Sequence, residues 1–247
     1  MNPILPFLMA GDPSLEALPG LLAAARSAGL QALELGLPHS DPIADGPLLQ
    51  AAAQRAIAAG AGPIKVLEKL SIITESPDLI LFTYFNPLMQ IGARELIRLL
   101  GPTPVKALLV VDLPDTEEPG FEADLRRAGV PMIPLLAPTT SLARARGLLA
   151  ARPDPGAGAP FAQRFAYVVA RLGVTGTGIG TDLAPVHARV KALRGLTDRP
   201  LAVGFGLGDP ASLAAVRAMG ATPVVGSALV QALHEGQGLV DFLSSRR

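Results

Sequence analysis

The sequence predicts a parallel (β/α)8 barrel, a TIM-barrel α/β fold, as one domain over residues 1–247. Three observations point to it. Eight short apolar runs alternate with Ala- and Leu-rich helical patterns. The runs are almost continuously apolar, as in strands covered on both faces. No linker or shift of composition divides the 247 residues, and α/β barrels of about 250 residues are commonly one domain. A doubly wound sheet is the alternative that the same alternation allows.

The expected strands are 4–9, 32–37, 79–84, 105–111, 132–136, 165–170, 201–204 and 223–225. The helical patterns between them are 14–28, 47–59, 93–100, 117–128, 141–151, 185–193, 210–219 and 228–235. Ser14 and Ser141 precede Leu15 and Leu142 and read as N-caps. Gly29, Gly101, Gly129 and Gly220 sit just past helices, where a left-handed residue closes the last turn. The run 152–160, rich in Pro and Gly, reads as a mobile surface insert between the fifth helix and the sixth strand.

Composition narrows the function. Half the chain is hydrophobic (49%), enough for a sizeable core. The 26 glycines and 24 prolines make up about a fifth of it, which implies many turns but stays below the ~25–30% of disordered chains. A formal net charge of zero gives no reason to expect a nucleic-acid or anionic-membrane partner. Cysteine is absent, which excludes disulfides and thiolate chemistry. No apolar run approaches the ~18 residues of a membrane span. The first residues carry no basic segment of a signal peptide, so a soluble cytoplasmic protein is expected.

The most informative stretch is 34–47. Glu34 lies inside the apolar run Ala32-Leu33-Glu34-Leu35-Gly36-Leu37, and Asp45 follows in a Pro/Gly-rich loop. A charge in an apolar strand is costly unless something uses it, and two carboxylates in different surroundings can divide acid and base roles. A salt-bridged Glu34 and a turn-forming Asp45 are the plain structural alternatives. In a barrel the chemistry sits at the C-terminal strand ends, where Phe7, Tyr84, Asn86-Pro87, Asp112-Leu113-Pro114 and Tyr167 also fall. Glycine-rich loops follow the last three strands: Gly173-Val-Thr175-Gly176, Gly204-Phe-Gly206-Leu-Gly208 and Gly226-Ser227. Backbone N–H groups in such loops, with a helix N-terminus, favour a phosphate. The dinucleotide-like spacing from Gly206 to Ala211 is set aside, because Pro210 breaks the turn and no acidic residue ends the next strand. His39, His187 and His234 lack metal-ligand spacing, and Asp41 reads as a solvated loop residue.

These motifs resemble the α subunit of tryptophan synthase over nearly the whole chain. The resemblance is carried by Pro6-Phe7, Ala10-Gly11-Asp12-Pro13, the 34–47 segment, Thr83-Tyr84-Phe85-Asn86-Pro87, Asp112-Leu113-Pro114, Ala137-Pro138-Thr139-Thr140 and the glycine loops. It implies reversible cleavage of indole-3-glycerol phosphate to indole and glyceraldehyde 3-phosphate. It implies a pyridoxal-phosphate β subunit in an α2β2 complex, and no cofactor in this chain. By resemblance Glu34 is the general acid/base, and Asp45 binds the indole N–H. Phe7, Tyr84 and Tyr167 line the indole pocket. Thr175 closes over Asp45, with Arg171 in the same loop. Gly176, Gly206, Gly226 and Ser227 hold the phosphate. A stand-alone indole-releasing lyase and a non-catalytic phosphate-binding regulatory subunit are the alternatives. The chain departs from the family pattern in three places. His39 replaces the usual Phe in the loop facing the β subunit, the chain starts almost at the first strand, and the 152–160 insert is extra.

Overall fold

The computed structural model describes residues 4–113, 117–170, 183–204 and 206–246. Among them eight parallel strands run in the order β4-β3-β2-β1-β8-β7-β6-β5. They are β1 (Leu5–Met9), β2 (Ala32–Gly36), β3 (Asp78–Thr83), β4 (Val105–Val110), β5 (Leu135–Leu136), β6 (Ala166–Val169), β7 (Leu201–Gly204) and β8 (Thr222–Val225). A parallel bridge from Leu108 to Met132 joins the two ends of that order, so the sheet nearly closes. This circular order is that of the expected barrel. A doubly wound sheet would instead reverse at a switch point.

Alternation along the strands sorts side chains into two apolar layers. Leu5, Phe7, Ile80, Phe82, Leu109 and Tyr167 belong to one cluster, which fills the barrel. Leu33, Leu35, Leu79, Leu81, Leu108 and Val168 belong to the other, beneath the helices. The fifth strand is shorter than expected because Pro131 and Pro134 cannot donate to a ladder. Their carbonyls still accept, from Leu108 N at 3.0 Å and Tyr167 N at 2.8 Å.

The helices around the barrel are α1 (Leu18–Ser27), α2 (Pro47–Ala58), α3 (Pro63–Leu70), α4 (Phe85–Ile91), α5 (Ala93–Leu100), α6 (Pro119–Arg127), α7 (Leu142–Ala151), α8 (Phe161–Arg164), α9 (Ala184–Arg194), α10 (Pro210–Ala218), α11 (Ser227–His234) and α12 (Leu239–Ser244). The sequence patterns missed α3, α4, α8 and α12. Asn86-Pro87 follows the third strand where the sequence patterns assign no helix, yet Pro87 sits in the first turn of α4, where its missing N–H costs nothing. None of these helices is long and apolar enough to cross a membrane.

Two expected caps are corrected. Ser14 does not cap α1; its Oγ accepts from Ala17 N at 3.2 Å in the turn before the helix. Gly101 stays helical, with φ −49°, because the Thr103 hydroxyl closes that end by donating to Leu100 O at 2.7 Å. Gly29, Gly129 and Gly220 do take positive φ, and Ser141 Oγ does cap α7, accepting from Arg144 N at 3.2 Å.

The insert is anchored at both ends. Arg152 pairs with Glu122 at 2.6 Å, Arg164 pairs with Asp154 at 3.4 Å, and Gln163 donates to the carbonyls of Lys106 and Gly129, both at 2.9 Å. Residues 152–164 therefore cross the N-terminal end of the barrel and form its floor, which leaves the opposite end as the mouth.

Candidate active site

Glu34 lies mid-strand in β2, in register with Phe7 of β1 and Ile80 of β3. Both neighbours belong to the inner layer, so the carboxyl faces the barrel interior. It is 1% exposed, and Oε1 has no hydrogen-bond partner among the described residues. Burial alone raises its pKa well above the ordinary carboxylate value.

Asp45 comes from the loop between β2 and α2 and is equally buried. Local bonds fix its backbone: Asp45 N donates to Pro42 O at 3.0 Å, and Gln50 Nε2 donates to Asp45 O at 2.8 Å. The Tyr84 hydroxyl donates to Asp45 Oδ2 at 3.1 Å and accepts from Ala44 N at 3.0 Å. Burial pushes the Asp45 pKa up to about 6, against the opposing effect of that hydroxyl. Oδ1 is left without a partner among the described residues. The same loop sets the half-buried His39 ring against Tyr84, the two centroids 5.1 Å apart.

Tyr167 joins the two acids electrostatically. Burial, then the charges of Glu34 and Asp45, push its phenol well above its ordinary value. Neither carboxylate has an ion-pair partner among the described residues. The salt-bridged alternative for Glu34 therefore finds no support among them. No cluster of three or more potential metal ligands occurs among them either.

Two glycines make room for the aromatic rings, a role that sequence reasoning missed. A Cβ on Gly36 would overlap the Phe7 ring, and one on Gly204 would overlap the Tyr167 hydroxyl. The signal was present as a glycine inside each apolar strand, which marks a close approach.

The phosphate candidates are only partly described. Gly226 precedes α11, whose N-terminus has no side-chain cap. A Cβ on Gly226 would stand 3.6 Å from that of Phe7, so this N-terminus opens beside the aromatic cluster. Gly206 has φ +89°, and a Cβ on Gly208 would lie 3.1 Å from Ala228 Cβ, which brings the loop after β7 against Ser227 and the start of α11. Arg171, Thr175 and Gly176 lie outside the described residues. The dinucleotide-like spacing is a helix start: Asp209 Oδ1 accepts from Ser212 N at 2.9 Å, and Pro210 opens α10. Asp41 is exposed, as its loop reading required.

The family model described as tryptophan synthase alpha chain matches residues 1–242. The chain belongs to that family. It is 40% identical over 231 residues to the tryptophan synthase alpha chain of a Synechococcus species, covering 92% of this chain and 82% of the relative. Identity to the alpha chain of Methanosarcina acetivorans is 37% over 242 residues, covering 97% and 84%. A solved structure of the tryptophan synthase α2β2 complex from Pyrococcus furiosus superposes with a TM-score of 0.83 at 28% identity, covering 98% of this chain and 95% of that one. Membership places the chain among the alpha subunits of tryptophan biosynthesis, a lyase role. In that family context the buried acid pair is the feature that the fold alone does not require.

Proposed function

We propose that this chain, as one barrel domain, catalyses reversible retro-aldol cleavage of indole-3-glycerol phosphate to indole and glyceraldehyde 3-phosphate. One observation carries the reading. Two buried carboxyls with raised pKa values and no cation partner among the described residues face an aromatic interior, beside an uncapped helix N-terminus.

Cleavage breaks the bond between indole C3 and the first glycerol carbon. C3 must gain a proton, and the hydroxyl on that carbon must lose one as it becomes the aldehyde. Glu34, whose burial favours the protonated form, delivers the first proton and accepts the second. Asp45, ionised above about pH 6, accepts a hydrogen bond from the indole N–H and stabilises the positive charge that protonation at C3 creates. Tyr84 holds that carboxylate in place. Phe7, Tyr84 and Tyr167 form the indole walls. Gly206, Gly226, Ser227 and the N-terminus of α11 offer N–H groups to the phosphate, with Gly176 assigned to the same group and Thr175 to closure over Asp45. We assign pyridoxal phosphate to a β subunit that consumes the indole in an α2β2 complex, and no cofactor to this chain.

Glu34→Gln and Asp45→Asn test the roles: turnover falls by about 10²–10⁴-fold in each, while ligand binding and folding persist in Glu34→Gln. Near-normal turnover in either variant removes that residue from the mechanism. Adding a β subunit raises the activity of the isolated chain, because docking over the mouth completes the site. Full activity alone, with no binding in pull-down, identifies a stand-alone indole lyase.

A further inference from the structure

The barrel floor holds a second polar site, at the end away from the two acids. Arg199, just before β7, is 4% exposed. Its guanidinium donates to three carbonyls: Nε to Arg164 at 2.7 Å, Nη1 to Arg152 at 2.6 Å and Nη2 to Phe165 at 3.1 Å. A guanidinium has five N–H groups, so two have no acceptor among the described residues. The ion pairs of the floor, Arg152 with Glu122 and Arg164 with Asp154, do not include Arg199.

Arg199 lines a cleft of about 230 Å³ together with Arg126 and Arg152. Glu122 also lines it but is held by Arg152 through two bonds, at 2.9 and 2.6 Å. Arg126 is exposed and spends Nη1 on Ala151 O at 3.2 Å. Three guanidinium groups and one carboxylate line the cleft, with Asp154 also close enough to act on Arg199, and a guanidinium cannot shed its charge. Pro131, Met132 and Pro155 supply an apolar wall to the same cleft.

We propose that this cleft binds a small organic carboxylate, its oxygens on the remaining N–H groups of Arg199 and Arg126 and its apolar body against Pro131, Met132 and Pro155. The planar fork of arginine matches a carboxylate in geometry. The apolar wall favours an acid with a hydrocarbon body over a bare inorganic anion. The cleft is smaller than the ~300–1,000 Å³ of pockets for drug-sized ligands, which suits a single-ring or short-chain acid. Such a ligand would also fasten the 152–164 floor to the start of β7. The site is independent of the reaction assigned to the mouth.

Calorimetric titration of the full chain tests it, with benzoate as probe, its neutral analogue benzamide and inorganic phosphate as comparisons, and Arg126→Gln as the variant. Arg126 is exposed, so the variant keeps the fold. Saturable 1:1 benzoate binding is expected, weakened about fivefold in Arg126→Gln, with no binding of benzamide. Three results overturn the proposal: no saturable benzoate binding, equal binding of benzamide, or benzoate affinity unchanged in the variant. Phosphate binding that depends on Arg126 without benzoate binding overturns the organic acid in favour of an inorganic anion.

Discussion

The two ends of the barrel bury charged residues in opposite ways. At the mouth, Glu34 and Asp45 are buried with no cation beside them among the described residues, and each leaves a carboxyl oxygen without a partner there. At the floor, Arg152 and Arg199 are also buried, but Arg152 carries an ion pair and Arg199 donates to three carbonyls. The difference lies in what each group can do about its charge. A carboxyl relieves the cost of burial by holding a proton, so its pKa rises and the proton becomes available for chemistry. A guanidinium stays charged and must be satisfied where it stands. The mouth therefore stores reactivity and the floor stores order.

Substitutions can break that contrast. The largest effect is at Glu34: the loss of turnover in Glu34→Gln should come with no loss of melting temperature, because an amide replaces an acid whose ionisation the interior opposes. A drop in melting temperature would mean that the acid stabilises the barrel. Arg199→Met is the reverse case. It strands three carbonyls, and urea unfolding should show a loss of about 3 kcal/mol. An unchanged midpoint would deny the floor its ordering role.

Asp45→Asn sharpens the contrast through pH. The folded pKa of Asp45 is about 6, above the ordinary aspartate value of 3.8. The folded state therefore binds more protons than the unfolded one between these values. Native stability from this group is fully present below about pH 4 and is lost as the pH rises through 6. Asp45→Asn should then be more stable than the parent by about 3 kcal/mol at pH 7.5, with the advantage fading as the pH falls from 6 toward 4 and gone below that. Stability curves at several pH values check this. In the parent, turnover should fall as the pH drops through about 6, as Asp45 gains its proton. The smallest effect is at Gly36→Ala, where the new methyl displaces the Phe7 ring. Such overpacking costs about 1–3 kcal/mol, and the Michaelis constant should rise if Phe7 lines the indole site.

Local pattern was enough for much of this protein. Eight apolar runs gave the strands, because a strand covered on both faces must be apolar throughout. Glu34 stood out because a charge interrupts such a run, and Ser141 because a cap bonds within its own turn. Where several local arrangements compete, the reading failed. Thr103 closes a helix end expected of Gly101, and Pro87 lies in the first turn of α4, a helix that no apolar pattern marked. Tertiary structure alone decided contacts between residues far apart in the chain. It set Tyr84 on Asp45, His39 against Tyr84, and the Phe7 and Tyr167 rings over Gly36 and Gly204. It also placed Arg199 under three carbonyls and closed the sheet from Leu108 to Met132. Periodicity reports which face of an element is buried. Which distant group that face meets is set by the packing of the whole barrel.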